Sequence, residues 1–310
     1  MELAFATPRK LPRAAELRGR VVVVDVAFAS EASGGGFEKL TKPFIDALGS
    51  RLAAWVDHHD HVLHAKYKED PRFVLATKAE HGACPEMVTA ELVARTGTVD
   101  TIVCHTDFDG LCSAAKWMRG GNEPYAGADD DARAIDTRIG TPSSVAERID
   151  RAIRGAGHRD IALLGVIVRH LSSGLADNSL WTPIDEAGSK LAALETEARK
   201  VAERYKRVEL SGVAPELGKA RTLAFIDATA SHGRYDKTLL LLIGQKRADT
   251  ALVLDRDTLT LAAPFDSGIN FLTLLGLSGG MPTLVSIPKS GMPEALRRLG
   301  VSPGEISDIS

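Results

Sequence analysis

The sequence predicts an α/β protein: a parallel-sheet domain, a connecting helix and a smaller α+β domain. Short apolar, often β-branched runs alternate with amphipathic stretches through residues 1–181, and three of those runs end directly on acids or histidines. Beyond residue 182 the pattern changes first to one long helical period and then to short, glycine-punctuated segments. In parallel α/β sheets ligands bind beyond the carboxyl ends of the strands, so the residues at those three ends are the candidates for function.

Val21-Val22-Val23-Val24-Asp25 is an unbroken β-branched run that stops on a carboxylate, the pattern of a strand buried on both faces. Gly34-Gly35-Gly36 makes a flexible turn before an amphipathic stretch over 40–52. Residues 52–56 form the next strand, which leads into Asp57-His58-His59-Asp60-His61. Residues 73–76 read as a third strand and 85–95 as a helix with proline near its start. Residues 101–104 make a fourth strand, ending on His105 and followed by Gly110 and a helix through Trp117. The segments 143–156 and 160–168 continue the alternation.

Over 182–208 the period predicts a single helix, because Leu191, Leu194, Ala198, Val201, Tyr205 and Val208 recur at three- and four-residue steps. Thr182, Pro183 and Asp185 give it a capping-box-like entry. Such a helix is a spacer, or else a coiled-coil seam in a homodimer; it covers too few heptads to require the seam. The expected division is a catalytic domain at 1–181, a linker helix at 182–212 and a C-terminal domain at 213–310. In the last, 223–226, 250–254 and 259–262 are strand candidates, and periodicity assigns 238–243 to neither helix nor strand.

Composition bounds the function. Of 310 residues, 44% are hydrophobic and 25% charged, the balance of an ordinary globular chain rather than a disordered one. Lys+Arg 38 against Asp+Glu 41 leaves a net charge of −3, so no global field attracts long duplex nucleic acid. A polyanionic substrate has to be met by local cations or bound metal. Cys84, Cys104 and Cys112 form no C-x-x-C pair, which points to buried thiols rather than a zinc finger or disulfide framework. The N-terminus has no signal-peptide core and no apolar run has the length of a membrane span, so a cytoplasmic protein is expected.

The chemistry lies in three clusters. In His105-x-Asp107-x-Asp109-Gly110, alternate residues of an extended chain would point the same way and Gly110 would turn the chain into the helix. Asp57-His58-His59 sets a carboxylate beside two imidazoles, and Asp25 stands alone. Carboxylates and imidazoles together suit manganese, magnesium or zinc, and a carboxylate can bridge two divalent ions of a hydrolase. His61 and His64 read as solvated or substrate-facing.

At these residues the sequence resembles the DHH phosphoesterase superfamily, which includes RecJ-type single-strand exonucleases, nanoRNA and cyclic-dinucleotide phosphodiesterases, and family II inorganic pyrophosphatases. HTDFDGLCSA resembles the family's first motif, VVVVD the second and VDHH the third. PRFVLATKAEHGACPEMVTAELV is similar to the segment that follows the third motif in nanoRNase-like members. The HxDxDG-type motif comes first in the family and follows Asp-His-His here, so the chain resembles a circular permutation of the catalytic domain.

The resemblance implies a two-ion centre of manganese, or magnesium. His105 and Asp107 would hold one ion, Asp109 and His58 the other, and Asp25 would bridge them. His59 would face the substrate phosphate, with Asp57 supporting the imidazoles. For the fourth motif's acid the candidates are Asp136, in AIDTRIG, and His170, in LLGVIVRHLSS. The segment TLTLAAPFDSGINFLTLLGLSGGMP resembles the DHH-associated substrate domain, but Ala-Ala-Pro-Phe and Ser278-Gly279-Gly280-Met281 replace the family's arginine strand and GGGH turn. Backbone amides at Gly279 and Gly280 remain as an anion cradle. The implied activity is hydrolysis of phosphodiester bonds in short oligonucleotides or dinucleotides. Alternatives are a pyrophosphatase, polyphosphatase or nucleoside bisphosphate phosphatase, or a non-catalytic nucleotide-binding protein on the same scaffold.

Overall fold

The computed structural model describes residues 1–157, 160–211, 214–231, 233–302 and 304. Gly212 and Val213, where the linker was expected to end, lie outside these. The chain divides into two compact units, one holding Met1–Ala29 and Gly35–Leu191, the other Ser30–Gly34 and Ala192–Ser310.

The first unit is built on a five-stranded sheet in which every neighbouring pair is parallel. Its spatial order is Glu2–Phe5, Thr101–Cys104, Val21–Val24, Leu52–Asp57 and Phe73–Leu75. The four valines of Val21–Val24 are fully buried because both faces are covered. Val22 and Val24 pack with Ala54, Val56, Ile102 and the helical residues Leu111, Ile149 and Leu164. Val21 and Val23 pack on the opposite face with Phe28, Trp55 and Val103. Full burial of a valine is worth roughly 1.5–3 kcal/mol relative to exposure, so this strand is the fixed centre of the unit. The Glu2–Phe5 strand, with only partly buried residues, gives no such signal and was not anticipated.

Several local expectations change. Residues 143–156 and 160–168, taken as continued alternation, both lie in helices, Ser144–Ala156 and Ile161–Ser172. Ser143 and Asp160 cap them by accepting from Ala146 N and Leu163 N. The helix expected at 85–95 is a short 3-10 turn, Cys84–Met87, followed by Ala90–Thr96. The long helix expected over 182–208 is two helices, Trp181–Ser189 and Leu191–Ala202, and then a strand, Lys206–Glu209. Gly188, a poor helix former, precedes the break. Val208, counted as a helical position, is instead the one buried residue of an edge strand whose other side chains are exposed. Asp185 does not cap; its carboxylate pairs with Arg148.

The second unit carries its own five-stranded sheet, in the order Leu284–Pro288, Thr258–Ala262, Thr250–Asp255, Thr222–Asp227 and Lys206–Glu209. All its pairs are antiparallel except that between Thr222–Asp227 and Thr250–Asp255. Side chains alternate between two apolar clusters, with Leu252 and Leu254 in one and Ala251 and Val253 in the other. The ambiguous segment 238–243 lies within the helix Lys237–Arg247.

Candidate metal centre

Register brings the three clusters together. Val24 pairs with Cys104 on one side and with Val56 on the other, so the residues that follow, Asp25, His105 and Asp57, leave the sheet side by side. These are the three central strands, and their carboxyl ends form one edge.

Asp25 turns at that edge in the left-handed region, with φ 57, a conformation that aspartate tolerates better than most residues. Its backbone N–H donates to Val56 O at 2.8 Å, which fixes the turn. The side chain is buried and neither carboxylate oxygen has a hydrogen-bond partner. An unsatisfied buried carboxylate is costly, and a cation is the species that relieves it. Burial, together with the Asp109 and Asp107 carboxylates, holds Asp25 well above the ordinary range.

Among the described residues three overlapping groups of potential ligand atoms lie at this edge, the atoms of each within 4.8 Å of one another: Asp25, His58 and His59; Asp25, His105 and Asp107; His58, Asp109 and Asp136. Asp25 thus belongs to two groups and His58 to two. In the second group His105 Nδ1 lies 2.8 Å from Asp107 Oδ2 and 3.8 Å from Asp25 Oδ2. Burial disfavours the His105 imidazolium, but Asp107 and Asp25 outweigh it and raise the ring to about 9. Asp107 is also the N-cap of the helix Phe108–Met118, accepting from Gly110 N at 3.0 Å.

The extended-chain reading of His105-x-Asp107-x-Asp109 does not hold. The helix begins at Phe108, so Asp109 sits in its first turn and joins His58 and Asp136 rather than His105 and Asp107. Gly110 is not a tight turn either. A Cβ there would come within 2.7 Å of both His105 Cβ and His105 O, so the glycine lets the helix start close against the strand end.

His58 is fully buried and its Nδ1 lies 2.9 Å from His81 O, which makes that nitrogen the donor and turns Nε2 to the acids. Nε2 is 3.1 Å from Asp109 Oδ2 and 3.3 Å from Asp25 Oδ1. Asp109 is anchored by the Cys84 backbone N–H at 3.0 and 3.2 Å, and burial lifts it to about 6 against the pull of His58. His59 Nδ1 is 2.8 Å from Asp57 Oδ1, and its side chain keeps 20% of its exposure where Asp57 has none. Burial and the Lys78 charge hold His59 down to about 4. Burial would raise Asp57, but His59 outweighs it and brings it to about 2.

Of the two candidates for a fourth acid, Asp136, on the helix Ala128–Thr137, belongs to the third group. His170 belongs to none of the groups among the described residues. It is buried on the helix Ile161–Ser172 with its ring edge-on to Trp181, centroids 4.4 Å apart. The apolar run 161–168 that makes this helix carries His170 into the core. His61 and His64, expected at the solvent or substrate side, are buried and pack edge-on against Phe28 at 5.5 and 5.1 Å. Gly279 and Gly280 belong to the second unit, Gly280 with φ 131.

Sequence reading missed Lys78. It is 3% exposed, and its Nζ lies 2.8 Å from His58 Nε2 and donates to the Asp136 carboxylate. Burial opposes its charge, but Asp136, Asp109 and Asp25 hold it above the ordinary lysine range. The only signal was position: it lies three residues beyond the Phe73–Leu75 strand, next in the sheet to the strand of Asp57.

Asp25, His105 and Asp107 fit a divalent cation: a buried carboxylate without a hydrogen-bond partner, an imidazole and a second, half-exposed carboxylate. No helix among the described residues is long and apolar enough to cross a membrane. No family model matches the chain, and no curated protein matches it. Among solved structures the chain is similar to a RecJ exonuclease bound to manganese, with 12% identity and a TM-score of 0.41, over 90% of this chain and 74% of that one.

Proposed function

We propose that the chain is a metal-dependent phosphoesterase that hydrolyses phosphodiester bonds of short oligonucleotides or dinucleotides, with manganese or magnesium as its ion. The observation that carries this is the Asp25 carboxylate: buried, without a hydrogen-bond partner, and shared by two groups of His and Asp at adjacent strand ends. The motif resemblance at the same residues supports it.

Asp25, His105 and Asp107 would hold the ion, which supplies positive charge for phosphoryl oxygens and lowers the pKa of water. The chain's own residues do the rest. Asp57, deep in the sheet edge, holds the tautomer of His59 through Nδ1 and leaves Nε2 as the free nitrogen of a ring that is neutral at pH 7. That nitrogen suits a hydrogen bond to substrate or the acceptance of a proton. His58, tied to His81 O, and Asp109, tied to Cys84 N, are held rigid before substrate arrives. Such preorganisation is what stabilises developing charge in a transition state. The near-zero net charge favours a short substrate over a long polymer, which would call for a broad basic groove.

The test is turnover of short RNA, cyclic dinucleotides and pyrophosphate by folded protein with manganese or magnesium. Release of mononucleotides is expected, with a loss of at least ~100-fold in Asp25→Asn. Turnover of pyrophosphate alone would move the substrate to phosphoanhydrides. No turnover of any of the three by the folded, manganese-loaded protein would sink the proposal.

A further inference from the structure

We propose that Lys78 is the second cation of this centre, its ammonium standing where a two-metal hydrolase would hold its other ion. The inference rests on the metal-centre reading above and changes the number of ions. The third ligand group, His58, Asp109 and Asp136, has the composition of a divalent site. His58 has its Nδ1 committed to His81 O, so Nε2 is the nitrogen presented to a cation. The cation found there is the Lys78 Nζ, 2.8 Å from that nitrogen and bonded to the Asp136 carboxylate. A manganese or magnesium ion needs its ligands at roughly 2.0–2.2 Å, which is the space the ammonium fills.

Burial makes this a fixed arrangement. Lys78 is 3% exposed, so its stem cannot swing into water to admit an ion without opening the packed edge around it. The three groups contain Asp25, Asp107, Asp109 and Asp136, four carboxylates at one edge, and the Lys78 ammonium already offsets charge on the Asp136 side. Among the described residues no lysine is ion-paired with Asp25 or Asp107, whose ion-pair partners are histidines, so the Asp25, His105 and Asp107 group is left for the single ion.

The experiment is manganese stoichiometry by equilibrium dialysis, read together with the electron paramagnetic resonance spectrum of the bound ion, on the parent protein and on Lys78→Ala. One manganese per chain with an uncoupled spectrum is expected for the parent. Two manganese per chain with a spin-coupled spectrum are expected for Lys78→Ala, since the vacated space and the freed Asp136 complete a second site. Two tightly bound ions in the parent would overturn the proposal while leaving the metal-centre reading intact, and this arm needs no variant to fold. One ion in both proteins would also overturn it, because Lys78 would then occupy no ion's place. No ion in either would remove the metal-centre reading and this inference with it.

Discussion

Gly110→Ala separates a glycine kept for close approach from one kept for a turn. Gly110 lies in the first turn of Phe108–Met118, and an added Cβ would sit 2.7 Å from His105 Cβ and 2.7 Å from the His105 carbonyl oxygen. Ordinary contacts begin near 3.4 Å, so strand end and helix must part by about 0.7 Å, and the backbone carbonyl cannot rotate away. Overpacking of this kind costs about 1–3 kcal/mol, offset by the ~1 kcal/mol that alanine gains over glycine in a helix. The net cost is therefore between about zero and 2 kcal/mol. Gly165, inside Ile161–Ser172, is the control, since a Cβ there meets nothing within 4 Å. Gly165→Ala should raise Tm by roughly 2–4 °C, the shift for 1 kcal/mol in a unit of this size. Gly110→Ala should leave Tm unchanged or lower it by several degrees. It should also weaken manganese binding by roughly tenfold or more, because His105 is the residue displaced. Calorimetric melting and manganese titration read both effects. If Gly110→Ala melts as high as Gly165→Ala and binds manganese like the parent, the close-approach account is wrong.

Three further outcomes follow from the packing and the charges. In metal-free protein the His59 ring should titrate near 4, followed by NMR. Its folded pKa lies below the unfolded value of ~6.5, so its contribution is present above pH 6.5 and lost as pH falls through 4; His59→Asn should therefore lose about 3 kcal/mol less stability than the parent between those pH values. His170→Leu should keep parent manganese affinity and activity, because the ring lies in the core against Trp181 and in no ligand group; a tenfold loss of affinity would restore it as a ligand. Arg148 lies over the Trp181 ring with its Cζ 3.8 Å from the centroid and grips both Asp185 oxygens, so Arg148→Lys, which lacks the planar fork, should cost about 0.5–1 kcal/mol by denaturant melt.

The sheet's centre was legible because burial on both faces leaves an unmistakable pattern. The run Val21–Val24 and the acids and histidines that end three strands are visible in the letters alone, and the parallel register aligns them. Segment type was harder where packing overrides period. Val208 fits a helical repeat by spacing, yet it pairs with Leu223 in a strand, and His61 and His64 fit a polar loop by composition, yet Phe28 draws both into the core. At the site, extended-chain spacing alone would send His105, Asp107 and Asp109 to one place, whereas the motif resemblance sets Asp109 with His58; the turn into the helix at Phe108 is what puts Asp109 in a different group from Asp107. Lys78 was invisible for an opposite reason. A lysine in a polar loop reads as solvated, and only the fold shows that this one is enclosed by acids.

The left-handed backbone at Asp25 has a consequence for how this site can change over evolutionary time. Residues that tolerate that conformation are chiefly glycine, asparagine and aspartate, whereas residues that supply a carboxylate are aspartate and glutamate. The two sets intersect only at aspartate. Glutamate, the usual exchange for an acid, is disfavoured by the backbone as well as by its longer reach. Descendants that give up the buried carboxylate while keeping the fold would therefore be expected to show asparagine or glycine at this position. That single letter would tell a lineage that keeps the acid from one that keeps only the turn.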